Sequence, residues 1–383
     1  MTDGKSRKTP ARAPRVKRRD FLKTATTAAV ATAAAASSFP KPSLSQGLMQ
    51  WRMQTTWPKN FPGLGTGANK LGEFIAKASE GRLTVEVFGA GEIVPAFETM
   101  DAVSGGTLEM GHGAPYYWKG KVPATEFIAA TPFGLTIAEQ NAWIQFGGGQ
   151  ELADKVYKEI GCKFFASGNT GVQMGGWFNK EMASLEDYKG LKMRIPGLGG
   201  EVVKAAGGTV VNLPGGEIPP ALASGSIDAT EWVGPYNDLA FGLYKSAKFY
   251  YYPGWHEPAT VLDNFISLKA WEGLSSDLKA IVEAANGYTN QYVINEFMAN
   301  NNASLDTLVN KHGVVLKKFP NDILNGLGAL AGQVLGDIAS RNPLSQEVMQ
   351  SIVAFRKQSI AFAKLSDESY LEARRLPFKW VQL

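Results

Sequence analysis

The chain has one cysteine, Cys162, among 383 residues. That excludes an internal disulfide framework and any Cys-x-x-Cys metal or redox site. Cys162 stands in Gly-Cys-Lys-Phe-Phe, which reads as the start of a buried strand rather than a catalytic thiol. Histidine is nearly as scarce, with only His112, His256 and His312. His256-Glu257 opens like the zinc-protease motif His-Glu-x-x-His, but Thr260 occupies the place of the second histidine. No Gly-x-Ser-x-Gly nucleophile elbow is present. Beyond the N-terminal segment no run of about 18 apolar residues occurs, so no transmembrane helix is expected there. Without a nucleophile–base pair, the expectation is a protein that is not an enzyme.

Positive charge is also scarcer than the totals suggest. The net charge of +4 comes from 39 Lys+Arg against 35 Asp+Glu. Residues 1–45 hold 10 of the basic residues and 2 of the acidic ones, a balance of +8. The remaining 29 basic and 33 acidic residues balance at −4. Once that segment is removed, nothing in the charge supports nucleic-acid binding. Hydrophobic residues make up 44% and aromatics 11%, enough for about two packed domains.

The N-terminus reads as an address. Arg15-Val-Lys-Arg-Arg-Asp-Phe-Leu-Lys23 precedes a weakly apolar Ala/Thr/Val run ending near Ala36. A charged segment, a short apolar stretch and small residues make a signal peptide. Arg18-Arg19 with Phe21-Leu22-Lys23 resembles the twin-arginine export signal, with Lys17 where Ser or Thr is usual. The expectation is cleavage after Ala36 or within about ten further residues. The mature protein would then reside in the periplasm.

Past this segment, Met49, Trp51 and Met53 alternate with polar residues, as in a half-buried strand. A loop through Thr55 to Gly63 follows. Leu71, Phe74, Ile75 and Ala78 then fall at helical spacing, Gly81 takes the C-cap place, and Leu83, Val85 and Val87 alternate again. This is a βαβ unit of a parallel sheet. Ala102-Val-Ser-Gly-Gly-Thr-Leu-Glu-Met110 is echoed by Ala221-Leu-Ala-Ser-Gly-Ser-Ile-Asp-Ala229, and each stretch runs into a loop with Pro and Tyr. The echo predicts two similar α/β lobes. Ligands in open α/β sheets bind outside the carboxyl ends of strands, so the loops after Thr56, Met110 and Thr230 are candidate site loops. From about Ser275 the pattern is mostly helical, with Leu278, Ile281, Val282 and Ala285 on one face. Val348, Ile352, Phe355 and Phe362 form a later stripe, suited to packing within the chain or against another subunit.

One stretch imitates a nucleotide site. Gly63-Leu-Gly-Thr-Gly-Ala68 matches Gly-x-Gly-x-x-Ala, and Glu86 lies about twenty residues on. Against it, seven loop residues separate the strand from the first glycine, and Glu86 sits inside the second strand. It nevertheless carries the alternative function, an exported nicotinamide-dependent oxidoreductase.

Two polar features remain. Arg194, in Leu191-Lys-Met-Arg-Ile-Pro196, is on a strand whose neighbours face the other way, where its fork suits a carboxylate or a surface ion pair. Glu231-Trp232 follows the second echoed strand, and a carboxylate there could ligate a hard cation together with backbone carbonyls.

Gly89-Ala-Gly-Glu-Ile93, Met100 to Met110, Leu185 to Pro196, and Glu217-Ile-Pro-Pro-Ala-Leu-Ala-Ser-Gly-Ser-Ile-Asp228 together resemble the solute receptors of tripartite ATP-independent periplasmic (TRAP) transporters, the DctP-like family. Residues 170–178, Asp228 to Pro235 and Gly254-Trp-His-Glu-Pro258 resemble its 2-oxoacid and 2-hydroxyacid subgroup. The resemblance implies an α/β, two-lobed periplasmic-binding-protein-like fold, with a ligand cleft between lobes and a helical C-terminal region. It implies that Arg194 pairs with the substrate carboxylate. Gln173 would touch both substrate and metal, and Glu231, the Trp232 carbonyl and Glu257 would complete the shell of a sodium or calcium ion. Trp232 would also border the substrate. Phe61 and Tyr117 would act as lids from the opposite lobe, with Asn60 beside them. The implied partners are a small organic acid, the TRAP membrane permease subunits and a second copy of the chain joined through the C-terminal helix. No nucleotide is implied. Pyruvate, lactate, a longer 2-oxoacid and an aromatic acid all fit this pattern, and a ligand sensor docking on a signalling partner would share the fold. The expected organisation is a signal peptide over 1–45, lobe I over 46–168 with a return over 258–300, lobe II over 169–257 with 301–345, and a C-terminal element over 346–383.

Overall fold

Alternation at Met49, Trp51 and Met53 builds a strand, β1 (Met49–Thr55), with Trp51 and Met53 buried. The computed structural model describes residues 47–381, so the export signal expected over 1–45 lies outside the described residues. β1 leads into α1 (Leu64–Ala78) and then β2 (Leu83–Phe88), which pairs with β1 in parallel. Leu71 and Ile75 are buried, Phe74 is half-buried, and Ala78 at the helix end is exposed. Gly81 is left-handed (φ 78°) and donates its N–H to the Ala76 carbonyl at 2.8 Å, closing the helix.

The chain continues through α2 (Thr99–Ser104), β3 (Met110–Gly113), α3 (Ile137–Phe146), α4 (Gly149–Lys158) and β4 (Cys162–Asn169). Next come β5 (Gly176–Phe178), β6 (Lys192–Arg194), α5 (Gly197–Ala205), β7 (Thr209–Val211), α6 (Ile218–Ala223), β8 (Ala229–Thr230), α7 (Pro235–Phe241) and β9 (Phe249–Tyr252). The last elements are β10 (Val261–Ser267), α8 (Ser276–Asp306), β11 (Val315–Lys318), α9 (Asn321–Ser340), α10 (Pro343–Ala363) and α11 (Asp367–Ala373). Two sheets result, ordered β2-β1-β3-β10-β4 and β11-β9-β5-β8-β6-β7. The first is not wholly parallel, because β10 returns between β3 and β4 and runs antiparallel to both. β11 interrupts the expected helical region and adds an edge to the second sheet by parallel pairing with β9.

The echoed stretches are the same junction built twice. Gly106 and Gly225 both have positive φ, at 77° and 72°. Thr107 N–H reaches the Ala102 carbonyl at 2.8 Å, and Ser226 N–H reaches the Ala221 carbonyl at 3.1 Å. Glu109 accepts the backbone N–H of Arg52 in β1, and Asp228 accepts that of Lys192 in β6. In each sheet the acid therefore sets the register of a parallel neighbour, β1 with β3 and β6 with β8. The following strand ends then carry their loops toward the same region.

The later apolar stripe divides. Val348 and Ile352 are buried in a core shared with α3 and α4, whereas Phe362 is 70% exposed. No helix among the described residues is long and apolar enough to cross a membrane.

Fully buried β10 also carries Asp263, which accepts hydrogen bonds from Trp118 Nε1 at 2.8 Å and from the Tyr157 hydroxyl. Burial outweighs these donors and pushes the carboxyl up from 3.8 to about 6. Between these values the folded chain holds a proton that the unfolded chain has released, so this group's contribution to stability is lost as pH rises. The expected result is that Asp263→Asn gains on the wild type by roughly 2–3 kcal/mol between pH 4 and pH 6.5. Urea unfolding at a series of pH values checks this. Parallel curves for the two proteins would refute it.

Candidate site at the strand ends

Arg194 closes β6 and is 1% exposed. Met193 and Ile195 pack on the opposite side into the core of the second sheet, so the strand's period turns the guanidinium toward the loops. Its Nε donates to the Leu213 carbonyl at 3.2 Å, and its Nη1 donates to the Glu231 carbonyl at 3.2 Å and to the Glu231 carboxylate. Nη2 lies 3.4 Å from the Tyr117 hydroxyl, and the guanidinium carbon is 5.2 Å from the Trp232 ring centre. Burial alone would lower the Arg194 pKa, but Glu231 and the two tyrosines more than offset it and hold the group charged.

Glu231 follows β8 directly and is also 1% exposed. Its second oxygen lies 3.4 Å from His256 Nε2. Glu257, 3% exposed, accepts from Gln173 Nε2 at 2.7 Å and from the Thr260 hydroxyl. Burial first and the neighbouring Glu231 charge second raise the Glu257 pKa well above the usual carboxylate range. Among the described residues, Glu231, His256 and Glu257 bring ligand atoms within 4.8 Å of one another. Gln173 Oε1 is buried beside them without a hydrogen-bond partner. Two buried carboxylates and an orphaned carboxamide oxygen form a donor set for a hard cation such as sodium or calcium.

Phe61 comes from the loop after β1. It meets Trp232 edge to face at 6.3 Å and packs on Phe241 at 4.2 Å. Tyr117 lies in a short 3₁₀ turn after β3 (Pro115–Trp118). Loops from both sheets thus converge on Arg194. They enclose a cavity of about 10 Å³, lined in part by Trp57, Tyr116, Thr170, Gln173 and Trp232. That is room for about one water-sized sphere.

Asn60 is not brought in. Its backbone is left-handed (φ 59°), and its exposed side chain accepts from Asn69 Nδ2 at 2.7 Å. His256, Trp57, Tyr116 and Thr170 are brought together here without having been singled out. His256 could have been found from its place beside Glu257, whereas the other three carry no periodic signal.

The nucleotide reading is overturned. Gly63, Gly65 and Gly67 serve close packing. A Cβ at Gly63 would lie 2.6 Å from Phe297 Cζ, and one at Gly67 would lie 2.4 Å from Val293 Cγ2. The first turn of α1 already receives an anion from the chain itself, the Glu296 carboxylate, which accepts Gly63 N–H at 3.0 Å. Glu86 is exposed within β2, opposite Arg52 in register.

Comparison with known proteins gives the family. Residues 53–341 match the family described as bacterial extracellular solute-binding protein, family 7. A monocarboxylate 2-oxoacid-binding periplasmic protein of Nostoc sp. is 41% identical over 358 residues, covering 93% of this chain and 98% of that protein. A TRAP periplasmic solute-binding protein from Pseudoalteromonas atlantica, solved with sodium and pyruvate, is 38% identical with a TM-score of 0.83, covering 87% of this chain and 100% of the other. Its counterpart from Colwellia psychrerythraea, solved with calcium and pyruvate, has the same identity and TM-score over 85% of this chain and 100% of the other. From the βαβ start to α9, sequence and fold together show that this chain belongs to the bacterial extracellular solute-binding protein family 7, the DctP-like receptors of TRAP transporters.

Proposed function

We propose that this receptor binds a small 2-oxoacid, pyruvate or a close relative, together with a sodium or calcium ion, and presents it to a TRAP membrane permease. The observation that carries the reading is a buried, permanently charged Arg194 beside the acceptor cluster Glu231, Glu257 and Gln173. Support also comes from the relatives with pyruvate and sodium or calcium, and from the 2-oxoacid name of the Nostoc relative.

Arg194 offers two parallel N–H groups to the carboxylate once Glu231 turns away. Glu231, Glu257, Gln173 and the Trp232 carbonyl would hold the cation, which supplies positive charge for the keto and carboxylate oxygens when bound. Phe61 and Tyr117 exclude water, which strengthens each remaining electrostatic contact. No bond is made or broken, so the chain acts as a receptor rather than an enzyme. Residues 46–168 with 258–300 would move as one lobe against 169–257 with 301–345, and the ligand favours the closed arrangement by its differential affinity.

The C-terminal segment completes the proposal. Phe362, Leu365, Tyr370 and Trp380 are 70%, 79%, 67% and 87% exposed, an apolar surface that a second copy would cover. A related protein from Bordetella bronchiseptica is a dimer with calcium and picolinate. Export by the twin-arginine route to the periplasm rests on Arg18-Arg19.

Native mass spectrometry of protein purified from the periplasm tests the whole reading. The expected species begins after residue 36, is dimeric, and carries one small organic acid and one cation per copy. A bound nicotinamide, or protein that takes up no 2-oxoacid when supplied with sodium and calcium, would refute it.

A further inference from the structure

The side chain of Glu296 sits where elements of the two sheets meet. It projects from α8 and accepts Gly63 N–H at 3.0 Å and the Thr66 hydroxyl at 2.9 Å, both at the start of α1. The same carboxylate accepts the Tyr236 hydroxyl at 3.2 Å, from the first turn of α7. Beside it, Asn237 Nδ2 donates to the Pro62 carbonyl at 2.9 Å. α1 follows β1 of the first sheet, while α7 follows β8 of the second. The loop held from both sides, residues 57–63, carries Phe61, which covers Trp232.

We propose that Glu296 is a positioning residue that latches the cleft: through Tyr236 and the Phe61 loop it sets how fast a closed receptor releases its ligand, without touching that ligand. The inference rests on the reading of the chain as a receptor that closes on a 2-oxoacid. Three features support it. The carboxylate is anchored on the α1 side by two donors, the Gly63 N–H and a Thr66 hydroxyl shared between its two oxygens, against one from Tyr236. With Glu296 seated on α1, parting α1 from α7 breaks the Asn237–Pro62 bond, the Tyr236 hydroxyl arm and the bond from Tyr236 N–H to Asn301 of α8 at 3.0 Å. Second, the fit is specific, because only glycine at 63 and 67 lets α1 approach Phe297 and Val293 closely enough. Third, burial and the Glu296 charge raise the Tyr236 hydroxyl pKa above its ordinary range, so it remains a donor. The glycine-rich stretch that imitates a nucleotide loop thereby acquires a role as a seat for the chain's own carboxylate.

The discriminating variant is Tyr236→Phe, which removes one hydroxyl and leaves the helix anchor intact. Stopped-flow release of pyruvate, with sodium and calcium present, is expected to quicken by about tenfold, with association unchanged within about twofold. The ratio of affinities for pyruvate and 2-oxobutyrate should stay as in the wild type, because no ligand contact has changed. Glu296→Leu, which removes the acceptor, should reproduce the faster release, and the double variant should add nothing beyond Glu296→Leu. Closure is read independently of ligand by spin labels at Lys77→Cys and Lys189→Cys, both exposed sites, since Cys162 is buried and does not label. The ligand-free distance should lengthen in Tyr236→Phe. Unchanged release and unchanged distance would overturn the latch. If the wild type binds no 2-oxoacid, the functional reading fails, while the label distances still decide the latch.

Discussion

Arg194→Ala is expected to weaken pyruvate binding by about three orders of magnitude in calorimetry at fixed sodium and calcium. Two charge-assisted hydrogen bonds from a buried guanidinium contribute roughly 1.5–3 kcal/mol each, and about 4 kcal/mol is a thousandfold in affinity. The same substitution has a second effect, because Arg194 pairs with Glu231 and both are 1% exposed. Alanine leaves a buried carboxylate without its partner, which costs about 3–5 kcal/mol of stability. Lost binding alone would therefore be ambiguous. The double variant Arg194→Met with Glu231→Gln removes both charges, and it should recover most of the stability while still failing to bind. Retained affinity within tenfold for Arg194→Ala would remove the arginine from the site. A stable Arg194→Ala protein would refute the ion pair's energetic role.

Removing cations is expected to have the next largest effect. Dialysis against chelator in sodium-free and calcium-free buffer should weaken pyruvate binding by at least about a hundredfold, and returning one of the two ions should restore it. Glu231 and Glu257 are buried with ligand atoms within 4.8 Å of each other. Burial and this mutual repulsion raise the Glu257 pKa, so the pair is costly to keep ionised without a cation. A 2-oxoacid would add a third negative charge to the same pocket. Glu257→Gln should therefore lose cation-dependent binding while leaving Arg194 paired with Glu231. The ion that restores binding at the lower concentration is the resident one. Affinity that is equal with and without both ions would remove the cation from the mechanism.

The fold was legible wherever one face of an element packs and the other does not. β1, α1 and β2 announce themselves because Trp51, Met53, Leu71, Ile75 and Leu83 are buried at the period of their element. The repeated junction was legible for a different reason: Gly106 and Gly225 need positive φ, and Glu109 and Asp228 each hold a neighbouring strand. β11 was not legible, since Val315 to Lys318 is a short edge strand with half-buried and exposed residues alternating weakly. In the site, Arg194 could be placed because a charged residue inside an apolar strand must face a polar region. The bond that Asn60 accepts from Asn69 was not legible, because no spacing rule shows the left-handed backbone at Asn60. The contact of His256 with Glu231 was not legible because the two lie 25 positions apart.

The pairing of Arg194 with Glu231 has a consequence for when the receptor responds. Arg194 is already paired with Glu231 and Glu257 lies beside them, so an organic anion arriving alone meets no unpaired positive charge. A cation arriving alone gains no keto oxygen. Occupancy on this scheme follows the product of the two concentrations, so the receptor works as a coincidence detector.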